Sequence, residues 1–342
     1  MPLLQVESLR VRFKTEEGYV EPLDGVSFEI EPGEVMGLVG ETGSGKSVTA
    51  QAVMGLLPFI NGEVTAGRII FMGKDLLSFS EEQWQKYRGA KLSLISQNPM
   101  TSLDPVYRVG DQCTEAISAH TDYDKAECEQ IVKRLFDAVG LQAGMMKAYP
   151  HEFSGGMRQR AMIAMSLLLS PALVIMDEPT TGLDVLVQER ILRNIKEIRQ
   201  KSESSVSILL ITHDISVIAE MSDRIGIMYA GRLMESAESM ELFNEPYHPY
   251  TLGLKNAFPS IKALDRELIS IPGSPPNLIE DIPGCLFAFR CPFVIPECEK
   301  TRPPDLEIKP GHMVHCIRTD DVEEFRKLAG DKKTWQSSRS AT

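Results

Sequence analysis

Several things are scarce or missing in this 342-residue chain, and each absence closes a class of function. Positive charge is outnumbered: 36 Lys and Arg face 48 Asp and Glu, for a net charge of −12. Such a surface is not made for wrapping nucleic acid nonspecifically, so no nucleic-acid partner is expected. No uncharged stretch reaches the roughly 20 residues that a membrane span needs. The nearest, Ala161 to Met176, is interrupted at Pro171 and reads as a buried helix ending near Ser170, then a buried strand. Met1-Pro2 leads straight into a strand-like segment, without the charged and apolar regions of a secretory signal, so a cytosolic protein is expected. Internal repeats, heptads and C-x₂₋₄-C pairs are also missing. What remains has 43% hydrophobic and 25% charged residues, the composition of an ordinary globular protein. Its length suits two domains, or one core with an extension.

The pattern along the chain alternates strands and helices. Leu3 to Val11 and Val26 to Ile30 read as strands around a turn-rich insert, Lys14 to Tyr19. Val35 to Val39, Arg68 to Phe71, Lys91 to Ile95, Leu173 to Met176, Val206 to Ile211 and Arg224 to Met228 read as further strands. Helices are expected over 46–57, 185–200 and 214–221. The pattern from about 106 to 150 reads as helical and contains no clear strand. This order predicts an α/β fold with a mainly parallel sheet covered on both faces, an antiparallel β part near the N-terminus and an inserted α-helical subdomain at about 98–168. Composition changes near residue 240: 12 of the 21 prolines and four of the six cysteines lie beyond it. A loop-rich extension, 241–330, too irregular to bury much core, is therefore expected after a 1–240 domain, with a flexible tail at 331–342.

The first chemistry-bearing motif is Gly40-Glu41-Thr42-Gly43-Ser44-Gly45-Lys46-Ser47, followed by Val48. It fits G-x-x-x-x-G-K-[ST] and sits where that pattern has meaning, between an apolar strand and a helix. Its glycines let backbone N–H groups converge on phosphate oxygens at a helix N-terminus. Lys46 then reaches the β- and γ-phosphates, and Ser47 holds Mg²⁺. Asp177-Glu178 ends a second apolar strand. Asp177 is a candidate Mg²⁺ holder through water, and Glu178 a candidate base for the attacking water. Ser154-Gly155-Gly156 supplies an N-cap and bare N–H groups at another helix start, a second candidate anion contact.

In this order the motifs resemble the nucleotide-binding subunits of ABC transporters. The signature of those proteins, L-S-G-G-Q, stands here as Phe153-Ser154-Gly155-Gly156-Met157. The resemblance makes Gln97 the glutamine loop that links Mg²⁺ and water to the membrane partner. It places Asp184, in Thr181-Gly182-Leu183-Asp184, on the loop that crosses a dimer interface, and makes His213 the switch histidine near the γ-phosphate. Phe13 falls where an aromatic stacks on adenine, with Tyr19 as the alternative. The implied site is composite. One protomer holds ATP, and Ser154, Gly155, Gly156 and Asp184 of a second ATPase subunit close over it.

The C-terminal cysteines, Cys285, Cys291, Cys298 and Cys316, are spaced C-x₅-C-x₆-C-x₁₇-C. Spacing alone leaves a metal staple and four free thiols both open. Cys113 and Cys128 read as small buried apolar residues. Asn244-Glu245-Pro246-Tyr247-His248-Pro249-Tyr250-Thr251, Ile271-Pro272-Gly273 and Arg290-Cys291-Pro292-Phe293 resemble the oligopeptide/dipeptide importer branch, with the dipeptide-type subunit most similar. That resemblance implies a [4Fe–4S] cluster on the four cysteines. It also implies a different ATPase chain as dimer partner, two transmembrane permease subunits, an extracytoplasmic peptide-binding protein acting indirectly, and a place on the cytoplasmic face of the membrane. A nickel importer belongs to the same branch. The reading from another class, a soluble ATPase acting on nucleic acid or ribosomes, is disfavoured by a single cassette with no heptads and no basic face.

Overall fold

The computed structural model describes residues 1–16, 18–96, 102–179, 188, 206–257, 268–279 and 282–336. Two sheets organise them. Four strands make an antiparallel sheet in the order β2-β1-β4-β5, with β1 (Leu4–Thr15), β2 (Gly18–Ile30), β4 (Gly62–Phe71) and β5 (Lys74–Asp75). The larger sheet runs β11-β12-β10-β9-β3-β8-β7-β6. Its centre is parallel: β3 (Val35–Val39), β6 (Leu92–Ile95), β7 (Leu173–Asp177), β8 (Ser207–Thr212) and β9 (Arg224–Tyr229). Three antiparallel strands extend it: β10 (Arg232–Glu238), β11 (Leu306–Lys309) and β12 (His312–Val314). The expected mainly parallel sheet, antiparallel N-terminal part and mixed α/β content are all present.

The central strands are apolar without alternation because both faces are covered. Successive side chains leave opposite faces, so each strand feeds two cores. In β3, Met36 and Leu38 join the core under the antiparallel sheet, and Val35 and Val39 join the core on the other side. Leu173 and Ile175 of β7, and Leu209 and Ile211 of β8, follow the first pair. Val174, Met176, Ile208 and Leu210 follow the second.

The first helix, α1 (Lys46–Val53), follows β3 and is shorter than expected. The reason is Gly55, in the left-handed region at φ 63°, where a β-carbon would collide with the Trp84 ring. The helix α2 (Glu81–Tyr87) precedes β6. Between β6 and β7 come α3 (Val109–Ser118), α4 (Lys125–Ala138) and α5 (Gly155–Ser166). Val109, Cys113 and Ile117 of α3 meet Cys128, Val132 and Phe136 of α4, each set spaced four apart on one face. Asp124 caps α4 reciprocally with Glu127, at 2.8 and 2.9 Å. Cys113 and Cys128 are buried here as expected, and burial pushes the Cys113 thiol up to about 12. The uncharged stretch at 161–176 divides into α5, a turn with Ser170 at φ 48°, and β7.

The chain beyond 240 buries more than its composition suggested. Tyr250, Phe287, Phe325 and Trp335 are all at most 1% exposed and belong to the same core as α3 to α5. The pair β11–β12 completes the main sheet through β10, with Glu235 opposite Val314 and Ser236 opposite Met313. Among the described residues, no helix is long and apolar enough to cross a membrane.

Candidate nucleotide site

The parallel strands deliver the candidate residues to one edge. Val39 of β3 lies beside Thr212 of β8, and Asp177 of β7 lies beside Ile211. The segments that leave these strand ends therefore emerge together: Gly40 from β3, Glu178 from β7 and His213 from β8. Ligands of open parallel sheets sit at such carboxyl ends.

The loop after β3 is tightly built. At Gly40 a β-carbon would run into the Met228 carbonyl oxygen. Gly45 caps α1 at φ 100°, with the Pro22 carbonyl oxygen 2.6 Å from where a β-carbon would stand. Only glycine meets both conditions. Thr49 donates to the Gly45 carbonyl at 3.0 Å, and the Gly231 N–H donates to the Ser44 carbonyl at 3.0 Å. Lys46 is buried inside this loop. Its Nζ donates to the Gly40 and Glu41 carbonyls at 2.8 Å each, and to Ser44 Oγ at 3.1 Å. Burial lowers its pKa, while the charges of Glu178, Asp177 and Glu41 oppose that shift. An ammonium held by carbonyls among three carboxylates is poised to exchange them for phosphate oxygens.

Asp177 faces Ser47 across this space. Burial raises its pKa, offset by a hydrogen bond from Ser47. Its Oδ1 is buried without a hydrogen-bond partner. An orphaned carboxylate oxygen beside a hydroxyl fits a hard divalent cation such as Mg²⁺. Glu178 sits in the left-handed region at φ 50°, fixed by its N–H to the Ile211 carbonyl at 2.8 Å. A non-glycine residue there costs roughly 1–2 kcal/mol. The conformation brings Glu178 Oε1 to 3.2 Å from Nδ1 of the largely exposed His213. Beyond it, Asp214 caps the helix Ile215–Met221 through the Ser216 and Val217 N–H groups.

Ser154 stands apart from this cluster. It caps α5, its Oγ accepting the Met157 N–H at 3.3 Å, and both it and Gly155 are exposed. A β-carbon on Gly155 would meet nothing within 4 Å, so this helix start is open. Phe153 is buried in the core, and the buried Gln159 ties α5 to the Pro179 carbonyl just past Glu178. Phe13, on β1, is half-buried with its ring against Gly62. Tyr19 is 49% exposed, with the Arg12 guanidinium 4.6 Å over its ring. Gln97 and Asp184 lie outside the described residues.

Sequence reasoning missed two contributors to the loop. Tyr250 Oη accepts the Glu41 N–H at 3.2 Å, and Arg290 pairs with the Glu41 carboxylate. A signal existed: Arg290 is one cation closing the apolar run 285–289, and a buried cation demands a partner.

The four C-terminal cysteines do converge. They line one cavity of about 20 Å³, and the Cys285 N–H donates to the Cys298 carbonyl at 2.7 Å. The expected [4Fe–4S] cluster nevertheless has to be withdrawn. Among the described residues no group of three or more His, Cys, Asp or Glu is disposed to hold a metal ion. Burial pushes Cys285 up to about 12 and Cys316 to about 11, and raises Cys291 well above a usual thiol. Burial thus favours the neutral thiol at these three positions.

Comparison with known proteins points to ATP binding and peptide transport, and not to a cluster. Residues 23–181 match the family described as ABC transporter, and residues 234–298 match "Oligopeptide/dipeptide transporter, C-terminal region". The chain is 44% identical to the dipeptide transport ATP-binding protein DppD of Bacillus subtilis, over 97% of this chain and 99% of that protein. It is 45% identical to the oligopeptide transport ATP-binding protein OppD of Escherichia coli, over 94% of each. Both relatives carry names for ATP binding and peptide transport, and neither is an iron–sulfur name. In fold it is similar to a dimeric ATP-binding cassette in a post-hydrolysis state with ADP and phosphate, at TM-score 0.62 and 22% identity, covering 69% of this chain and 98% of that one. A phosphate loop filled by its own lysine, an orphaned aspartate and a Glu–His pair thus stand in a chain that belongs to the ATP-hydrolysing subunits of ABC transporters, in the oligopeptide/dipeptide branch.

Proposed function

We propose that this chain is the motor of an importer for dipeptides or oligopeptides, and that it hydrolyses ATP in a site shared between two ATPase subunits. The observation that carries the reading is the convergence of Lys46, Asp177, Glu178 and His213 at neighbouring strand ends around one glycine loop. The relatives named for dipeptide and oligopeptide transport support peptides as cargo. Cargo choice itself lies with the other subunits: two transmembrane permeases and an extracytoplasmic binding protein. The chain docks on the permeases from the cytoplasmic side.

Each residue has a task in this reading. The N–H groups of the loop 40–48 cradle the phosphates, and Lys46 trades its carbonyl partners for phosphate oxygens. Ser47 and Asp177 would hold Mg²⁺, with Gln97 as a further contact; the ion supplies charge neutralisation to the phosphates. Glu178 takes the proton from the attacking water, and His213 orients Glu178 through the Nδ1 contact. An aromatic, Phe13 or Tyr19, stacks on adenine. The exposed α5 start, with nothing near Gly155, supports an in-trans role: Ser154, Gly155 and Gly156 close on the partner's ATP, with Asp184 crossing the interface. Closure on ATP and opening after hydrolysis drive the permeases.

The test is Ser154→Arg. In this reading it leaves MgATP binding by the isolated chain intact and stops hydrolysis in the assembled complex. Loss of MgATP binding by the isolated, folded variant would contradict the in-trans assignment.

A further inference from the structure

Glu41 occupies a variable place in the phosphate-loop pattern, yet it is the most heavily anchored residue of that loop. Arg290 NH1 donates to its Oε2 at 2.8 Å, and NH2 donates to its Oε1 at 3.0 Å. This is the two-pronged guanidinium–carboxylate geometry, the strongest kind of charged hydrogen bonding in proteins. Arg290 is 5% exposed, and its remaining donors are spent on fixing it in place. Nε donates to the Pro272 carbonyl at 2.8 Å, NH2 to the Ile271 carbonyl at 3.3 Å, and NH1 to Tyr229 Oη at 3.3 Å. A second anchor acts on the backbone, where Tyr250 Oη accepts the Glu41 N–H. Tyr250 is fully buried and packs its ring 4.8 Å from that of Tyr229 and 5.2 Å from that of Phe287. The Glu41 carbonyl, in turn, holds Lys46. A continuous chain of contacts therefore runs from the C-terminal extension to the phosphate-binding lysine.

We propose that Arg290 and Tyr250 are positioning residues for nucleotide binding. They fix the start of the phosphate loop through Glu41, and Arg290 neutralises a carboxylate that would otherwise repel the incoming phosphates. The proposal rests on the reading that loop 40–48 binds nucleotide phosphates. It makes the extension part of the nucleotide site's support. Two forces argue for a charge role beyond simple stapling. Glu41 is one of the three carboxylates whose charge is felt at Lys46, so it stands close enough to act on a phosphate held there. A carboxylate only partly exposed to water is poorly screened, so removal of its cation leaves that repulsion nearly undiminished.

The experiment measures MgATP and MgADP affinity of the full-length chain by calorimetry, with thermal unfolding as the folding control. Arg290→Met should weaken MgATP binding about tenfold, equivalent to about 1.4 kcal/mol. Adding Glu41→Gln to Arg290→Met should recover most of that loss, because the repelling charge goes with its lost partner. A folded Arg290→Met that binds within twofold of the parent overturns the proposal. So does a loss that Glu41→Gln fails to recover, since a mere staple of the extension cannot be rescued by removing a charge. If Arg290→Met does not fold, Tyr250→Phe carries the test. It keeps the ring and removes only the acceptor of the Glu41 N–H. At least threefold weaker binding supports the proposal, and anything less overturns it. The underlying reading fails separately, if Lys46→Ala binds MgATP as the parent does.

Discussion

Glu178→Gln isolates the proton-transfer step more cleanly than any other change in this site. The amide is nearly isosteric, so the left-handed backbone at φ 50° and the N–H to the Ile211 carbonyl carry over. The side-chain oxygen can still face His213 Nδ1 at the present 3.2 Å. Lys46 loses one of the three charges that support its ammonium, but keeps both carbonyl partners and the Ser44 hydroxyl. The Ser47–Asp177 pair is untouched. Binding of MgATP should therefore stay within about threefold of the parent, less than roughly 0.7 kcal/mol. Hydrolysis should fall on the order of 10²–10⁴-fold, because an amide accepts no proton from water. That corresponds to roughly 3–5 kcal/mol of barrier. The assay is steady-state phosphate release by the assembled transporter, with equilibrium MgATP binding beside it and mass measurement for an ATP-held dimer. Hydrolysis within about threefold of the parent would refute the base role of Glu178.

Other outcomes follow from the packing and the charges. Gly45→Ala should abolish MgATP binding and lower the unfolding midpoint, because φ 100° and the Pro22 carbonyl at 2.6 Å leave no place for a methyl group; unchanged binding by calorimetry would refute the account of the loop. Phe136→Ala empties the fully buried contact between α4 and its core and should cost about 3–5 kcal/mol in urea unfolding. His312 is buried between Glu235, 2.8 Å from Nε2, and Glu241, 3.0 Å from Nδ1; burial lowers its pKa, but the two carboxylates outweigh it and hold it above the usual histidine value. A folded value above the unfolded one gives stability that is complete below about pH 6.5 and is lost as pH rises through the folded value. His312→Gln should flatten that decline above about pH 6.5, and an identical slope in the variant would count against it.

The centre of the fold was legible because both faces of its sheet are covered. Val35 to Val39 and Leu173 to Met176 stand out as bare apolar runs, and no competing pattern fits them. The edges were not legible, for reasons that lie in particular residues. The strand β10 carries Glu235 in its middle, which reads as a turn or surface residue. Glu235 is buried because it accepts hydrogen bonds from the Tyr247 and His248 N–H groups and faces His312 from 77 positions away. β11 and β12 span four and three residues, too short for a period of two to declare itself. β1 and β2 run into the expected insert, with Lys14 paired to Tyr19 and Thr15 to Gly18. The cysteines illustrate the converse error. Their shared cavity brings them together, but spacing says nothing about disposition, and among the described residues no group of three or more is arranged to hold a metal ion.

The nucleotide site shows why motif and mechanism separate. Phosphate binding by backbone N–H groups demands glycine at fixed places, so the demand is printed locally in 40–47. Asp177 and Glu178 were legible for a similar reason, as charges ending a strand that is otherwise wholly buried. Glu41 was not, because the motif leaves its position free. It is free only in the sense that its side chain takes no part in cradling phosphate. That same freedom lets the side chain be used elsewhere, and here it is held by a guanidinium 249 residues away. No local pattern can announce such a pairing, since neither partner is unusual in its own neighbourhood until the fold brings them together. A buried arginine beside the cysteine block and an acidic residue in a glycine loop are each ambiguous alone. Together they tie the extension to the glycine loop, so a change in the packing of 285–316 has a physical route to the position of that loop.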